Sequence, residues 1–254
     1  MPTSKHENVL VLICLGDKNF NVDLTLLSLR SIREVAQYDG HLLLFTDFSR
    51  PIPELGAMNV ERIVVPADSI DDPRNFRIHM HKYYDFSVHE RVVYMDFDIL
   101  TLRSLGPVFK RIEKDLLYYC YAPKMPWDNY DAFGANEYIE KFRTAPVVKI
   151  SPTGICSGVF GIQTRYLTKM LKKWGKVLDK TTSNNDQHAF NEMLVKGGYP
   201  CRPLPNEWFE YPLQKPDARA LRSSEHFIFY HYNPVSNPRK LASMQADLLP
   251  HISE

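Results

Sequence analysis

Residues 8–15 (NVLVLICL) are, after Asn8, an unbroken apolar run of β-branched and leucine side chains with a single cysteine. The run is far shorter than the roughly 20 residues that cross a membrane, and it reads as a strand buried on both faces. Such a strand needs helices above and below it, and the segments that follow supply them. Residues 20–37 place Val22, Leu26, Leu29, Ile32 and Ala36 at helical spacing. Residues 41–46 and 61–65 are two more short apolar runs, ended by Asp47 and Pro66. Residues 72–86 are expected to form a helix, and 91–95 a strand that stops at carboxylates. Strands alternating with helices predict an α/β fold, a mostly parallel sheet covered by helices. In such sheets ligands bind beyond the carboxyl ends of the strands.

The second half is less regular. It predicts strands over 116–121, 155–163 and 226–231, and helices over 165–178 and 186–196. Between 122 and 152 lies a Pro- and aromatic-rich stretch with Trp127, Tyr130, Phe133 and Tyr138, either a packed surface segment or a binding loop. A domain averages about 150 residues, but no repeat or long linker divides these 254, so one domain over residues 1–254 is expected. Lys and Arg total 31 against 30 Asp and Glu, a balance that argues against nucleic acid as a partner. Cys14, Cys120, Cys156 and Cys201 show no C-x-x-C spacing, and no basic leader with a cleavage site is visible. A cytoplasmic protein with reduced thiols is the expectation.

Residues 91–100 (RVVYMDFDIL) run a buried strand straight into Asp96 and Asp98, the one Asp-x-Asp pair in the sequence. Carboxylates beside an apolar strand need a cation. A divalent ion serves, because hard oxygens suit Mg²⁺ or Mn²⁺ and the ion can also bridge phosphate oxygens. A surface turn or helix cap is the bland alternative. Three later segments bear on the choice. Residues 155–162 (ICSGVFGI) set Ser157 and Gly158 in an apolar strand, where glycine marks a bulge or a close approach by ligand or backbone. Residues 183–190 (SNNDQHAF) open a helix with Phe190, Met193 and Leu194 on its core face. Asp186 and Gln187, four and three residues before Phe190, lean toward that face, although an acid there also suits the helix dipole. In residues 226–231 (HFIFYH), alternation aligns Phe227, Phe229 and His231. His231 thus closes a buried strand, as a core histidine or as a metal ligand.

Taken in order, these pieces resemble the glycogenin and bacterial lipopolysaccharide galactosyltransferase family, retaining glycosyltransferases of the GT-A fold. The resemblance runs from Val9 to about Pro238 and implies a Rossmann-like, nucleotide-binding mixed sheet. Asp17, Asn19 and Phe20 look like the family's turn that holds the uridine, with Phe20 as the ring that stacks on the base. Arg77 and Lys82 are similar in placing to the Arg and Lys that touch the donor. Asp96 and Asp98 match the metal-binding pair, Asp96 also facing the donor, and His231 matches the third metal ligand. Ser157 and Gly158 match the donor-side strand, and Asp186 and Gln187 the Asp-Gln pair at the donor sugar. The chain departs from the pattern in three places. Phe97 replaces a small residue, Cys156 replaces Asn, and residues 231–238 lack the Gly and Lys that grip phosphate, for which Arg239 or Lys240 are substitutes.

The resemblance therefore implies a metal-dependent (Mn²⁺ or Mg²⁺) transferase that takes a nucleotide-diphosphate sugar, a UDP-sugar, and passes the sugar to an acceptor hydroxyl with retention. The acceptor is a carbohydrate, a protein or a lipid-linked molecule. The rivals are a nucleotidyltransferase, whose Gly-rich loop is missing from residues 15–20, and a sugar-binding protein without turnover. Arg165, Lys169, Lys172, Lys173, Lys176 and Lys180 make a basic helix, a solvated face or a peripheral membrane contact.

Overall fold

The computed structural model describes residues 7–16, 18–70, 72–113, 115–126, 153–180, 186–195, 197–212, 226–232 and 237–252. The first apolar run is β1 (Asn8–Cys14), with β2 (His41–Thr46) on one side and β4 (Arg91–Met95) on the other, both parallel to it. The edge strand β3 (Val60–Val64) pairs with β2, also parallel. Beyond β4 the sheet turns mixed. β7 (Thr153–Gln163) runs antiparallel to β4 and to β6 (Leu117–Pro126), and β8 (Cys201–Pro203) closes the far edge. The order is β3-β2-β1-β4-β7-β6-β8. This is the mostly parallel α/β sheet that the strand–helix alternation predicted, mixed beyond β4 as the Rossmann-like resemblance implied.

Both faces are covered, which is why β1 is apolar at successive positions. Leu10 and Leu12 pack on one side with α1 (Asn19–Arg30) and α3 (Gly106–Arg111). Val9, Val11 and Ile13 pack on the other with α4 (Thr164–Leu178) and α5 (Asp186–Val195). Helix α1 continues through a π turn over Ser31–Val35 and stops at Gln37, whose φ of 51° leaves the helical region. A short helix, α2 (Pro53–Ala57), precedes β3. No helix among the described residues is long and apolar enough to cross a membrane.

Residues 72–86 are not one helix. They form 3₁₀ turns over Pro73–Ile78 and Met80–Lys82, with another at Phe86–Val88. Phe76, Ile78 and Met80 are all buried. A two-residue spacing cannot face one way on an α-helix, so the core pulls this segment out of that conformation.

A second sheet of three strands has the order β5-β10-β9. β5 (Ile99–Thr101) is antiparallel to β10 (Phe229–His231), which is parallel to β9 (Phe209–Glu210). The strand predicted over 226–231 thus shrinks to its last three residues. Helix α6 (Asn237–Leu248) follows and packs Met244 and Leu248 against Leu24 of α1.

Candidate active site

Asp96-Phe97-Asp98 is the point where the chain passes from the large sheet to the small one. Asp96 follows β4, and its amide donates to the Gly158 carbonyl of β7 at 2.8 Å. Asp98 precedes β5, and its carbonyl accepts from the Tyr232 amide at 3.1 Å. Two sheets therefore clamp the three-residue turn. The antiparallel register sets His231 opposite Ile99, one position from Asp98. That register brings His231 Nε2 to 3.2 Å from Asp98 Oδ1 across 133 positions of sequence. The ring is wedged against Tyr211 and Phe209, with centroids 5.0 and 5.8 Å away.

Across the cleft, Arg77 ties three elements together. Its Nη1 lies 3.0 Å from Asp96 Oδ1 and donates to the Ser157 carbonyl at 2.9 Å. Its Nε lies 2.9 Å from Asp186 Oδ2, and its guanidinium lies over the Tyr94 ring at 5.0 Å. Tyr94 donates its hydroxyl to Asp96 Oδ1 at 2.6 Å. The strand period of two puts Tyr94 and Asp96 on one face. Asp186 opens α5, whose start is pinned from behind by Trp174 Nε1 donating to the Asp186 carbonyl at 2.9 Å. Asn191 fastens the same helix to β7, accepting from the Ile155 amide at 3.0 Å and donating to the Ile155 carbonyl at 2.9 Å. Gln187 Oε1 then lies 3.5 Å from both the amide and the hydroxyl of Ser157.

Gly158 carries both readings open to it from sequence. The pairing of β6 with β7 slips here, from Tyr119 opposite Phe160 to Cys120 opposite Cys156, so β7 bulges over residues 157–159. A Cβ on Gly158 would also lie 2.6 Å from Asp96 Oδ2 and 3.1 Å from His231 Cε1. Only a residue without a side chain leaves that space open.

The electrostatics follow from burial and pairing. Burial alone would raise Asp98, but His231 and then Lys240 outweigh it and hold its carboxyl well below the usual range. Lys240 reaches in from α6, with Nζ 2.6 Å from Asp98 Oδ2. Burial disfavours a charged His231, yet the Asp98 carboxylate prevails and pushes the ring up to about 10. Burial also works against the Arg77 charge, but Asp186 and Asp96 hold the guanidinium charged. Asp186 is raised by burial, which Arg77 only partly offsets.

Asp96, Asp98 and His231 each offer a ligand atom, and these atoms all lie within 4.8 Å of one another. Two hard oxygens and an imidazole fit Mn²⁺ or Mg²⁺, and the space kept open by Gly158 lies beside them. The adjoining cleft, about 290 Å³, is lined in part by Leu15, Arg77, Tyr94, Phe97 and Asp186. It opens beyond the carboxyl ends of β1 and β4, where parallel sheets hold ligands.

The other residues singled out in the sequence distribute as follows. Asn19 is exposed and accepts from Arg50 Nη2 at 3.3 Å. Half-buried Phe20 packs against the α1–α6 cluster, as Phe97 also does. Asp17 lies outside the described residues. Before it, Gly16 has φ of 82°, a turn that favours glycine, and its amide donates to Asp47 Oδ1 at 2.8 Å. Lys82 does not enter the cleft. The 3₁₀ turns that replace the expected helix leave it exposed, close enough to His81 to lower that ring's pKa, as Lys172 and, above all, burial also do. Lys173 leaves the basic stripe of α4 to donate to the Gly197 carbonyl at 2.6 Å, while Arg165, Lys169, Lys172, Lys176 and Lys180 stay exposed. From residue 127 on, the aromatic stretch lies outside the described residues. Sequence reasoning passed over Tyr94, Trp174, Asn191 and Tyr211. Only for Tyr94 was there a local signal, the two-residue step to Asp96.

A Rossmann-like mixed sheet with an Asp-x-Asp turn at the carboxyl end of a central strand is the arrangement expected of a GT-A-type transferase. Comparison with known families agrees: the model of the nucleotide-diphospho-sugar transferases matches residues 89–248, well over half of the sequence. The chain belongs to that family and is a glycosyltransferase that draws on a nucleotide-sugar donor. No curated protein matches the sequence.

Proposed function

We propose that this protein transfers a sugar from a UDP-sugar to an acceptor hydroxyl, with retention of configuration, in a reaction that depends on Mn²⁺ or Mg²⁺. One observation carries the reading: Asp96, Asp98 and His231 converge from two separate sheets on a single point beside the cleft. UDP and retention are inferred from the family that the motifs resemble. A bound divalent ion would act as a Lewis acid, neutralising charge that develops on the departing diphosphate.

The chain's own residues supply the rest. Asp96, Asp98 and His231 hold the ion, and Asp17, Asn19 and Phe20 take the nucleoside at the end of β1. Arg77, fixed between Asp96 and Asp186, keeps both carboxylates in place and puts a permanent positive charge in the cleft wall. Ser157 and Gly158 let the donor approach β7. Asp186 and Gln187 bind sugar hydroxyls, and the Asp186 charge opposes the positive charge of an oxocarbenium-like centre. Tyr94 and Phe97 give the cleft aromatic surface, and the acceptor hydroxyl, from a carbohydrate, protein or lipid-linked molecule, approaches through that cleft. The four cysteines are free thiols, which supports a working place in the cytoplasm.

The test is direct. The protein is incubated with Mn²⁺ and a panel of sugar nucleotides, and free nucleoside diphosphate is measured with and without excess chelator. Release from UDP-sugars that chelator abolishes and Asp98→Asn reduces at least a hundredfold is the expected result. Full release in chelator, or no nucleoside diphosphate from any sugar nucleotide while added pyrophosphate yields a nucleoside triphosphate and a sugar phosphate, would overturn it.

A further inference from the structure

The acidic pair already holds a cation of its own. Lys240 Nζ sits 2.6 Å from Asp98 Oδ2, and the two side chains are only 12% and 9% exposed. A pair so dry and so short is not a surface ion pair of little consequence. Its partners lie 142 positions apart in sequence, one at the carboxyl end of β4 and the other in the first turn of α6. The opposite oxygen of Asp98 faces His231 at 3.2 Å, and Arg77 stands 3.0 Å from Asp96. Cationic side chains thus answer the carboxylates of this cleft before any metal enters.

We propose that Lys240 is a resident counter-ion of Asp98 that competes with the divalent ion for the acidic pair and weakens metal binding in the absence of donor. This rests on the metal reading given above and goes beyond it. The reason is elementary electrostatics: an ammonium and a divalent cation on one carboxylate repel at a few ångströms, and burial strengthens the repulsion. Either Lys240 leaves Asp98 when the ion arrives, or it stays and lowers the affinity. In both cases Lys240 holds the metal-free pair in place, so the acidic turn stays folded without an ion. Lys240 is therefore a positioning residue for Asp98 in the resting protein.

The experiment is a Mn²⁺ titration without nucleotide, with free Mn²⁺ read by electron paramagnetic resonance, on wild type, K240M, K240Q, K240R and D98N. Far-UV circular dichroism checks that each is folded. K240M and K240Q are both included because removing the ammonium leaves Asp98 buried without it, and one polar and one apolar replacement guard against a variant that fails to fold. The expected result is Mn²⁺ affinity at least about tenfold tighter in K240M or K240Q, with K240R near wild type. Addition of Mn²⁺ should also raise the melting temperature of K240M more than that of wild type, since the ion then replaces a missing charge. Equal or weaker Mn²⁺ binding in the folded neutral variants would overturn the proposal and leave the metal reading standing. Mn²⁺ binding by D98N as tight as wild type would remove the metal reading and this inference with it, and no Mn²⁺ binding by any of the folded proteins would overturn this inference alone.

Discussion

Asp186 stands at the first position of α5 with its carboxylate 2.9 Å from Arg77 and its side chain 11% exposed. A helix cap alone would not need such burial, and burial raises its pKa against the pull of Arg77. What it does beyond capping is decided by Asp186→Asn, which keeps the shape and removes the charge. If the charge acts mainly on the transition state, kcat falls at least tenfold, about 1.4 kcal/mol, while UDP affinity by calorimetry changes little. Loss of one partner of a buried charged hydrogen bond also lowers stability by about 1–3 kcal/mol. Near-wild-type turnover with only a lower melting temperature would return Asp186 to the helix as a cap. Gly158 shows the same logic in reverse, since its contribution is space beside Asp96 Oδ2 rather than a group.

At the level of elements, the site depends on how α5 is held. Trp174 of α4 is fully buried, its ring 4.5 Å from that of Phe190 and 5.9 Å from that of Phe160. Its indole N–H reaches the Asp186 carbonyl, so the packing of α4 on α5 also sets where the Asp186 backbone starts. Trp174→Phe keeps much of the apolar contact and removes that donor. It should cost about 1–3 kcal/mol, from the orphaned carbonyl and the space left behind. It should also lower kcat several-fold, because the hydrogen bond it removes fixes Asp186, the residue proposed at the donor sugar. Urea unfolding and initial rates check both, and unchanged kcat in a destabilised variant would separate the packing from the chemistry. The small sheet works in the same way: β5 and β10 are only three residues each, yet their register alone places His231 beside Asp98.

For the molecule as a whole, the metal-free cluster makes stability depend on pH in a stated direction. His231 is raised from 6.5 to about 10, so between those values the folded protein holds a proton that the unfolded chain has lost. Its contribution is complete below about pH 6.5 and is lost as pH rises toward 10. Asp98, held low, contributes above its ordinary value of 3.8 and loses that contribution as pH falls below it. Melting temperatures taken in chelator should therefore decline from pH 6.5 upward in wild type, and the decline should be shallower in His231→Asn. Equal slopes in the two proteins would remove His231 as the source. Several parts of this molecule were legible in the linear sequence. Continuous apolar runs such as 8–15 admit one environment, a strand covered on both faces, and a strand that runs into Asp96 and Asp98 sets carboxylates at the sheet's carboxyl end. Helix α5 was equally readable, from the spacing of Phe190, Met193 and Leu194. Local periodicity carries no information on partners far away in sequence, and that is where the remainder lies. The core spacing of Phe76, Ile78 and Met80 broke the helix expected over 72–86, placed Arg77 in the cleft and left Lys82 outside it. Alternation over 226–231 foretold β10, but β5 and β9, three and two residues long, are too short to show a period, so the pairing and register of the second sheet were invisible. The contact of Lys240 with Asp98 and the hold of Trp174 on Asp186 came only from folding, because nothing next to either pair in the chain requires them to meet.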